Sequence, residues 1–140
     1  MPYPRSAYDL TSGLSYFARM CHKVRLHAAG ELPEDYHNNL GKGFDDRMCR
    51  YLNVTYPDLR DRVLAGGTDE EILEWCYAHG LRLNDMHLQV WNTFARKRGW
   101  RDDDGGTDFL AKFKASSGLS DRDDLLTMFD YYDVDEKRKP

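Results

Sequence analysis

The sequence predicts an all-α protein, a compact single-domain bundle of six or seven helices over residues 1–140, and three observations support this. Apolar residues recur at intervals of three and four along most of the chain, which is the spacing of one helix face. Residues that start and end helices flank these stretches. Strict alternation of apolar and polar residues, which is typical of a half-buried strand, is confined to residues 51–56.

The first part of the chain is predicted to be an arm, a helix and a loop. Residues 1–12 form the N-terminal arm, and the first helix ends at Gly30, since glycine is favoured at helix C-termini. Residues 31–43 form a loop, which is long for a compact domain, and loops of this length are often functional. The apolar stripe of the first helix comprises Leu14, Phe17, Cys21, Val24 and Ala28.

Three further helices are predicted between residues 44 and 80. The first spans 44–52 and has two acidic residues in its first turn, where the helix dipole favours negative charge. The second is short, with Pro57 in its first turn, and ends at Leu64. The third begins at a capping box in which the Thr68 hydroxyl and the Glu71 carboxylate each accept from the other residue's backbone N–H. Gly80 ends this helix.

The last part of the chain is predicted to hold three helices and a tail. Asn84 and Asp85 begin a helix that ends in the cationic run 96–98 before Gly99. Thr107 and Asp108 are predicted to cap a shorter helix, and Ser120 and Asp121 to cap the last one. Residues 135–140 are expected to be frayed. Aromatic residues on the helix stripes, including Phe109 and Phe113, are predicted to be structural.

The overall composition excludes several classes of protein. Eighteen aromatic residues (3 Trp, 9 Tyr and 6 Phe) argue against disorder. The net charge of −4 argues against a dedicated nucleic-acid partner, and no segment is apolar enough to predict a membrane span. Three widely spaced cysteines predict reduced thiols in a cytoplasmic protein.

The sequence contains no recognisable metal, cofactor or phosphate motif. The five histidines show neither HxxxH nor HExxH spacing, so we expect no metal. No GxSxG, P-loop or GxGxxG motif occurs, and we expect no cofactor.

The first helix has a basic face that is not neutralised within the helix. Arg19 and Lys23 are four residues apart and therefore adjacent on one face. Residues 1–30 carry four basic residues and one acidic residue, whereas residues 101–136 carry four basic and eleven acidic residues. One interpretation is an ion-pair network that holds the N-terminal arm, with Asp9, Asp45 or Asp46 as partners. The other is a pocket for a carboxylate or phosphate.

We state the pocket as the leading hypothesis. A small anionic metabolite would bind Arg5, Arg19 and Lys23, and Tyr8 and Tyr36 would orient it. Asp45 is the candidate acid–base group if the protein is an enzyme, which the sequence leaves open. The alternative hypothesis is a non-catalytic protein–protein interaction module or a homo-oligomer.

Short motifs in residues 4–100 also resemble a known family. They are Pro4-Arg5-Ser6-Ala7-Tyr8-Asp9, Gly13-Leu14, Ala18-Arg19-Met20 with Lys23 and Arg25, Gly30, Tyr36, Gly43-Phe44-Asp45, Thr68-Asp69-Glu70-Glu71 and Trp75. This pattern is similar to that of a bacterial family of small proteins classed as a domain of unknown function. The chain departs from it at Cys21-His22, where the family pattern has a hydrophobic residue followed by an acidic one. The resemblance implies a compact, soluble bacterial protein and supplies no reaction.

Overall fold

The computed structural model describes residues 2–140, and helices are their main secondary structure. The predicted helical fold class is confirmed, because the described residues form seven α-helices, one 3-10 helix and a two-stranded hairpin. The elements are β1 (Leu10–Thr11), β2 (Leu14–Ser15), α1 (Phe17–Ala28), the 3-10 helix Glu34–Asn39, α2 (Phe44–Leu52), α3 (Tyr56–Leu64), α4 (Asp69–His79), α5 (Asp85–Lys97), α6 (Gly106–Ser116) and α7 (Met128–Asp135).

The chain divides into two compact units, residues 1–89 and residues 90–140. The first unit contains the hairpin, the 3-10 helix and α1 to α4, and the division falls within α5. The second unit contains α6 and α7.

A tight antiparallel hairpin precedes the first helix. Leu10 pairs with Ser15 and Thr11 with Leu14, and the two residues between the strands have positive φ, as a two-residue hairpin turn requires. The prediction that Leu14 lies on the first helix is therefore wrong. The helix begins at Phe17 because Tyr16 has φ +72°, which is incompatible with helical backbone.

Helix α1 lies at the centre of the first unit and contacts β1, α3 and α4. The prediction that Phe17, Cys21 and Val24 lie on its buried stripe is confirmed, whereas the predicted Ala28 is exposed. Met20 and Leu26, which the spacing did not indicate, are also buried. A helix whose apolar face is covered on several sides is held mainly by that packing. The packing fixes where the basic face of α1 points.

The predicted helix starts in the middle of the chain are largely confirmed. The capping box is present, with the Glu71 N–H donating to Thr68 Oγ1 and the Thr68 N–H donating to Glu71 Oε1, both at 3.1 Å. Pro57 lies in the first turn of α3, and α3 ends at Leu64. Within the stretch 31–43, residues 34–39 form the 3-10 helix.

Two predicted helix starts in the second unit are wrong. Helix α6 begins at Gly106 after Gly105, and Thr107 Oγ1 accepts from the Asp102 N–H instead of capping the helix. Helix α7 begins at Met128, where the Thr127 side chain accepts from the Asp130 N–H. Ser120 and Asp121 therefore lie outside any helix, since polar residues of this kind occur in turns as readily as at helix starts.

The aromatic residues of α6 are also not where the apolar spacing predicts them. Leu110 is buried, but 54% of Phe109 and 36% of Phe113 are exposed to solvent. The Phe113 ring contacts the Tyr131 ring on α7, with ring centroids 5.9 Å apart. The spacing was correct for a helix, but it did not tell which of its apolar residues face the core.

Among residues 2–140, no helix is both long enough and apolar enough to cross a bilayer.

Candidate functional site

The basic face of α1 leads to a buried triad formed by Tyr16, Lys23 and Asp45. Lys23 Nζ lies 2.9 Å from Asp45 Oδ1 and donates to the Tyr16 hydroxyl oxygen at 3.0 Å. The Tyr16 hydroxyl donates to the same Asp45 oxygen at 2.6 Å. Tyr16 immediately precedes α1 and Lys23 lies within it, seven residues later, whereas Asp45 comes from the first turn of α2.

The residues around the triad close it from solvent. The Gly41 N–H donates to the second Asp45 oxygen at 3.0 Å, so the loop before α2 binds the carboxylate with its backbone. The Phe44 ring packs 5.1 Å from the Tyr16 ring. Burial and the nearby Asp45 carboxylate raise the pKa of Tyr56. The charged groups of the triad are thus held in a desolvated environment.

The geometry of the triad is suited to stabilising the fold and is poorly suited to catalysis. Asp45 has no exposed surface and Lys23 is only 6% exposed, so a substrate cannot reach either group in this conformation. A buried charge is tolerated only when it is paired and its hydrogen bonds are made. Both conditions are met, and the triad connects α1, α2 and the loop between them.

Arg5 and Arg25 form a second cluster, which we call the arginine clasp, with Asp9 and Asp69. Arg5 Nε lies 3.0 Å from Asp9 Oδ2, and Arg5 Nη1 lies 3.4 Å from Asp69 Oδ2. Arg25 Nη2 lies 2.7 Å from the other Asp69 oxygen. The clasp ties the N-terminal arm to α1 and to the first turn of α4.

The arm is also held through the backbone of Arg5. Arg19 Nη1 donates to the Arg5 carbonyl oxygen at 3.1 Å, and the Arg5 N–H donates to His22 Nδ1 at 2.9 Å. Acting as an acceptor, that His22 nitrogen is unprotonated, so the ring's proton is on Nε2. Arg19 and Lys23 are both buried, but they bind different parts of the fold. Arg19 binds the N-terminal arm, and Lys23 binds Asp45 on α2.

The structure thus brings the predicted site residues together in two pairs, Lys23 with Asp45 and Arg5 with Arg19. Tyr8 is half-buried in the arm, and Tyr36 is half-buried in the 3-10 helix. Sequence reasoning missed Tyr16, Gly41, Arg25 and Asp69. Arg25 and Asp69 belong to the motifs that resemble the family, and Tyr16 lies two helical turns before Lys23 and so on the same side of the chain.

A shallow groove of about 600 Å³ lies elsewhere in the first unit, along α4 and α3. It shares no residue with the predicted site, and its lining has three carboxylates and one guanidinium, which disfavours an anionic ligand. The lining residues are Arg62, Glu70, Glu71, Glu74, Trp75 and Ala78.

The three cysteines do not form a reactive site. Cys21, Cys49 and Cys76 are buried and unbridged. Burial raises the pKa of Cys49 and of Cys76 to about 12 and raises the pKa of Cys21, so the nucleophilic thiolate is scarce at neutral pH. Among residues 2–140, no three His, Cys, Asp or Glu side chains are grouped as metal ligands.

Comparison with known proteins gives a family but no reaction. No curated protein matches the chain. A family model described as a domain of unknown function, DUF5069, matches residues 1–138 and so covers both compact units and a longer stretch than the motifs at residues 4–100. The chain belongs to the DUF5069 family.

Proposed function

We propose that this protein is a non-catalytic binding module that contacts a protein partner through an aromatic face on α6, formed by Phe109, Lys112 and Phe113. The observation that carries the proposal is the exposure of Phe109 and Phe113, four residues apart on one helix. Aromatic side chains are enriched in protein–protein interfaces relative to the rest of the surface.

The poor burial of α6 supports the proposal. Of its eleven residues, only Gly106 and Leu110 are buried. Helices of this length gain most of their stability from an apolar face packed against other elements. Because 54% of Phe109 and 36% of Phe113 are exposed, a partner that covers them would gain apolar burial.

The buried triad supports a binding role over an enzymatic one. A general acid or base must come within hydrogen-bond reach of the substrate. Asp45 already accepts from Tyr16, Lys23 and Gly41 and has no exposed surface. The strongest candidate for catalysis is therefore used to hold the fold.

Site-specific photo-crosslinking tests the proposal. A photoreactive phenylalanine analogue placed at position 109 or 113 is expected to give a discrete covalent adduct in cells of the source organism. The analogue preserves the ring, and each position is partly exposed, so we expect the fold to tolerate it. The same analogue at Tyr3, an exposed aromatic residue of the N-terminal arm, serves as the matched control and should give none. Equal labelling at all three positions, or none at positions 109 and 113, would contradict the proposal.

The second candidate function is binding of a small anion at the arginine clasp. It is favoured by two guanidinium groups that meet at Asp69 while staying partly in solvent, with 48% of the Arg5 side chain and 36% of the Arg25 side chain exposed. The anion would compete with Asp9 and Asp69 for these groups. We therefore expect weak binding, with dissociation constants of about 1 mM, where the binding free energy is about −4 kcal/mol.

A thermal-shift series with phosphate and with citrate tests the second candidate. A ligand present at about 100 times its dissociation constant adds about 2.7 kcal/mol and raises the melting temperature. The rise should disappear in Arg5→Ala and persist in Arg50→Ala, in which a surface arginine of α2 is removed. A rise that persists in Arg5→Ala rules out the clasp as the binding site.

A further inference from the structure

We infer that the partner of the aromatic face is a second copy of this chain, with the two α6 helices packed antiparallel across a twofold axis. This inference rests on the proposed function, because it names the partner of the same surface. A twofold contact must be self-complementary, so each residue of one copy must find a suitable residue on the other. The apolar and the charged residues of α6 both meet this requirement.

The aromatic residues define the contact line. At about 100° per residue, positions 109, 112, 113 and 116 share one face of the helix, and the buried Leu110 points away from that face. Phe109 and Phe113 are one turn apart, about 6 Å along the axis. A twofold axis beside Ala111 therefore places Phe109 of each copy against Phe113 of the other.

The charges of α6 determine the direction of the pairing. Asp108 and Lys112 are exposed, four residues apart on the same flank of the aromatic face. Among residues 2–140 neither makes a salt bridge, and the Lys112 ammonium lies 5.8 Å from the Phe109 ring centroid. Antiparallel helices bring Asp108 of one copy beside Lys112 of the other, and do so twice. In a parallel pair the same flank of the two copies would lie on opposite sides of the contact, so Asp108 and Lys112 of one copy could not reach those of the other.

The size of the face predicts a weak dimer. A phenylalanine buries at most about 200 Å². The exposed parts of Phe109 and Phe113 therefore contribute roughly 200 Å² per copy, well below the roughly 800 Å² per partner of a standard interface. Two such faces bury about 400 Å² in total, which is below the low end of specific interfaces, so the association must be weak. We expect a dissociation constant of about 100 μM, so that the monomer and the dimer are both populated at protein concentrations near that value.

Sedimentation equilibrium of the full chain, from about 5 to about 500 μM, measures this dissociation constant, and charge variants test the pairing. Asp108→Lys alone or Lys112→Asp alone replaces two attractions with two repulsions and should weaken the dimer about tenfold. The double variant Asp108→Lys/Lys112→Asp exchanges the charges and should restore the dissociation constant to within about threefold. Asp103→Lys changes the net charge as Asp108→Lys does but lies outside α6, so it should leave the dissociation constant unchanged.

Each outcome bears on the inference in a defined way. A chain that stays monomeric at 500 μM, or a double variant that dimerises no better than the single ones, overturns it. A monomeric chain whose position 109 crosslinks to a different protein overturns the homodimer and leaves the binding module intact. A monomeric chain that gives no adduct at positions 109 and 113 overturns both proposals. Circular dichroism of each variant verifies that its helical content equals that of the unaltered protein.

Discussion

Replacing Asp45 with alanine is expected to lower the free energy of unfolding by about 3–5 kcal/mol, the cost of leaving one partner of a buried ion pair without the other. The Lys23 ammonium would remain buried with the Tyr16 hydroxyl as its neighbour in the triad, and the Gly41 N–H would lose its acceptor. Since a domain is stable by only about 5–15 kcal/mol, this loss is a large part of the total.

Urea denaturation followed by circular dichroism measures the effect of Asp45→Ala. The matched control is Asp46→Ala, the next residue on α2, whose exposed carboxylate pairs with Arg50 and should cost less than about 1 kcal/mol. A rescue variant separates the charge from the packing. Lys23→Met in the Asp45→Ala background removes the unpaired charge and should recover part of the loss. Equal effects of Asp45→Ala and Asp46→Ala would show that the triad does not hold the fold.

Gly80→Ala is expected to lower the free energy of unfolding by about 3 kcal/mol, at the upper end of the usual cost of overpacking. A Cβ atom at this position would clash with the Leu52 carbonyl oxygen and lie 2.8 Å from the Asn53 carbonyl oxygen, both of which are backbone atoms. The backbone cannot move away easily, because the Leu81 N–H donates to the Leu52 carbonyl oxygen at 2.8 Å. The end of α4 is thereby docked on the end of α2.

Gly30→Ala is the comparison that isolates the clash. Gly30 has φ +72° with no atom within 4 Å of the added Cβ, so the substitution costs only the left-handed backbone strain of about 1–2 kcal/mol. Both variants are measured by the same denaturation experiment. A Gly80→Ala variant no less stable than Gly30→Ala would mean that the contact between α2 and α4 is loose.

The helices were largely predictable because their signals are local. The capping box at Thr68 and Glu71 and the proline in the first turn of α3 act within one turn of the chain, and the structure contains both. The predicted helix starts were wrong where the same residue also had another possible conformation or hydrogen-bond partner. Tyr16 follows the hairpin with a positive φ, which its residue type does not predict. Thr107 accepts from the Asp102 N–H and does not cap α6.

The candidate site was predictable only in part. The spacing of Arg19 and Lys23 placed them side by side, and Asp9, Asp45 and Asp46 were the acidic residues considered as partners. The structure pairs Asp45 with Lys23 and Asp9 with Arg5, whereas Asp46 pairs with Arg50 on the surface of α2. Choosing among adjacent carboxylates requires the orientation of α2, which local spacing does not contain.

By itself the sequence determined that this protein is a set of short helices with one uncommonly basic face on the first of them. Periodicity and capping depend on neighbours within a few residues, so the order of amino acids is enough to specify them. Only the tertiary structure decided that Lys23 of this face is buried against Asp45 and that Phe109 and Phe113 stay partly exposed. Burial and ion pairing depend on residues distant in the chain, and these become neighbours only when the helices pack.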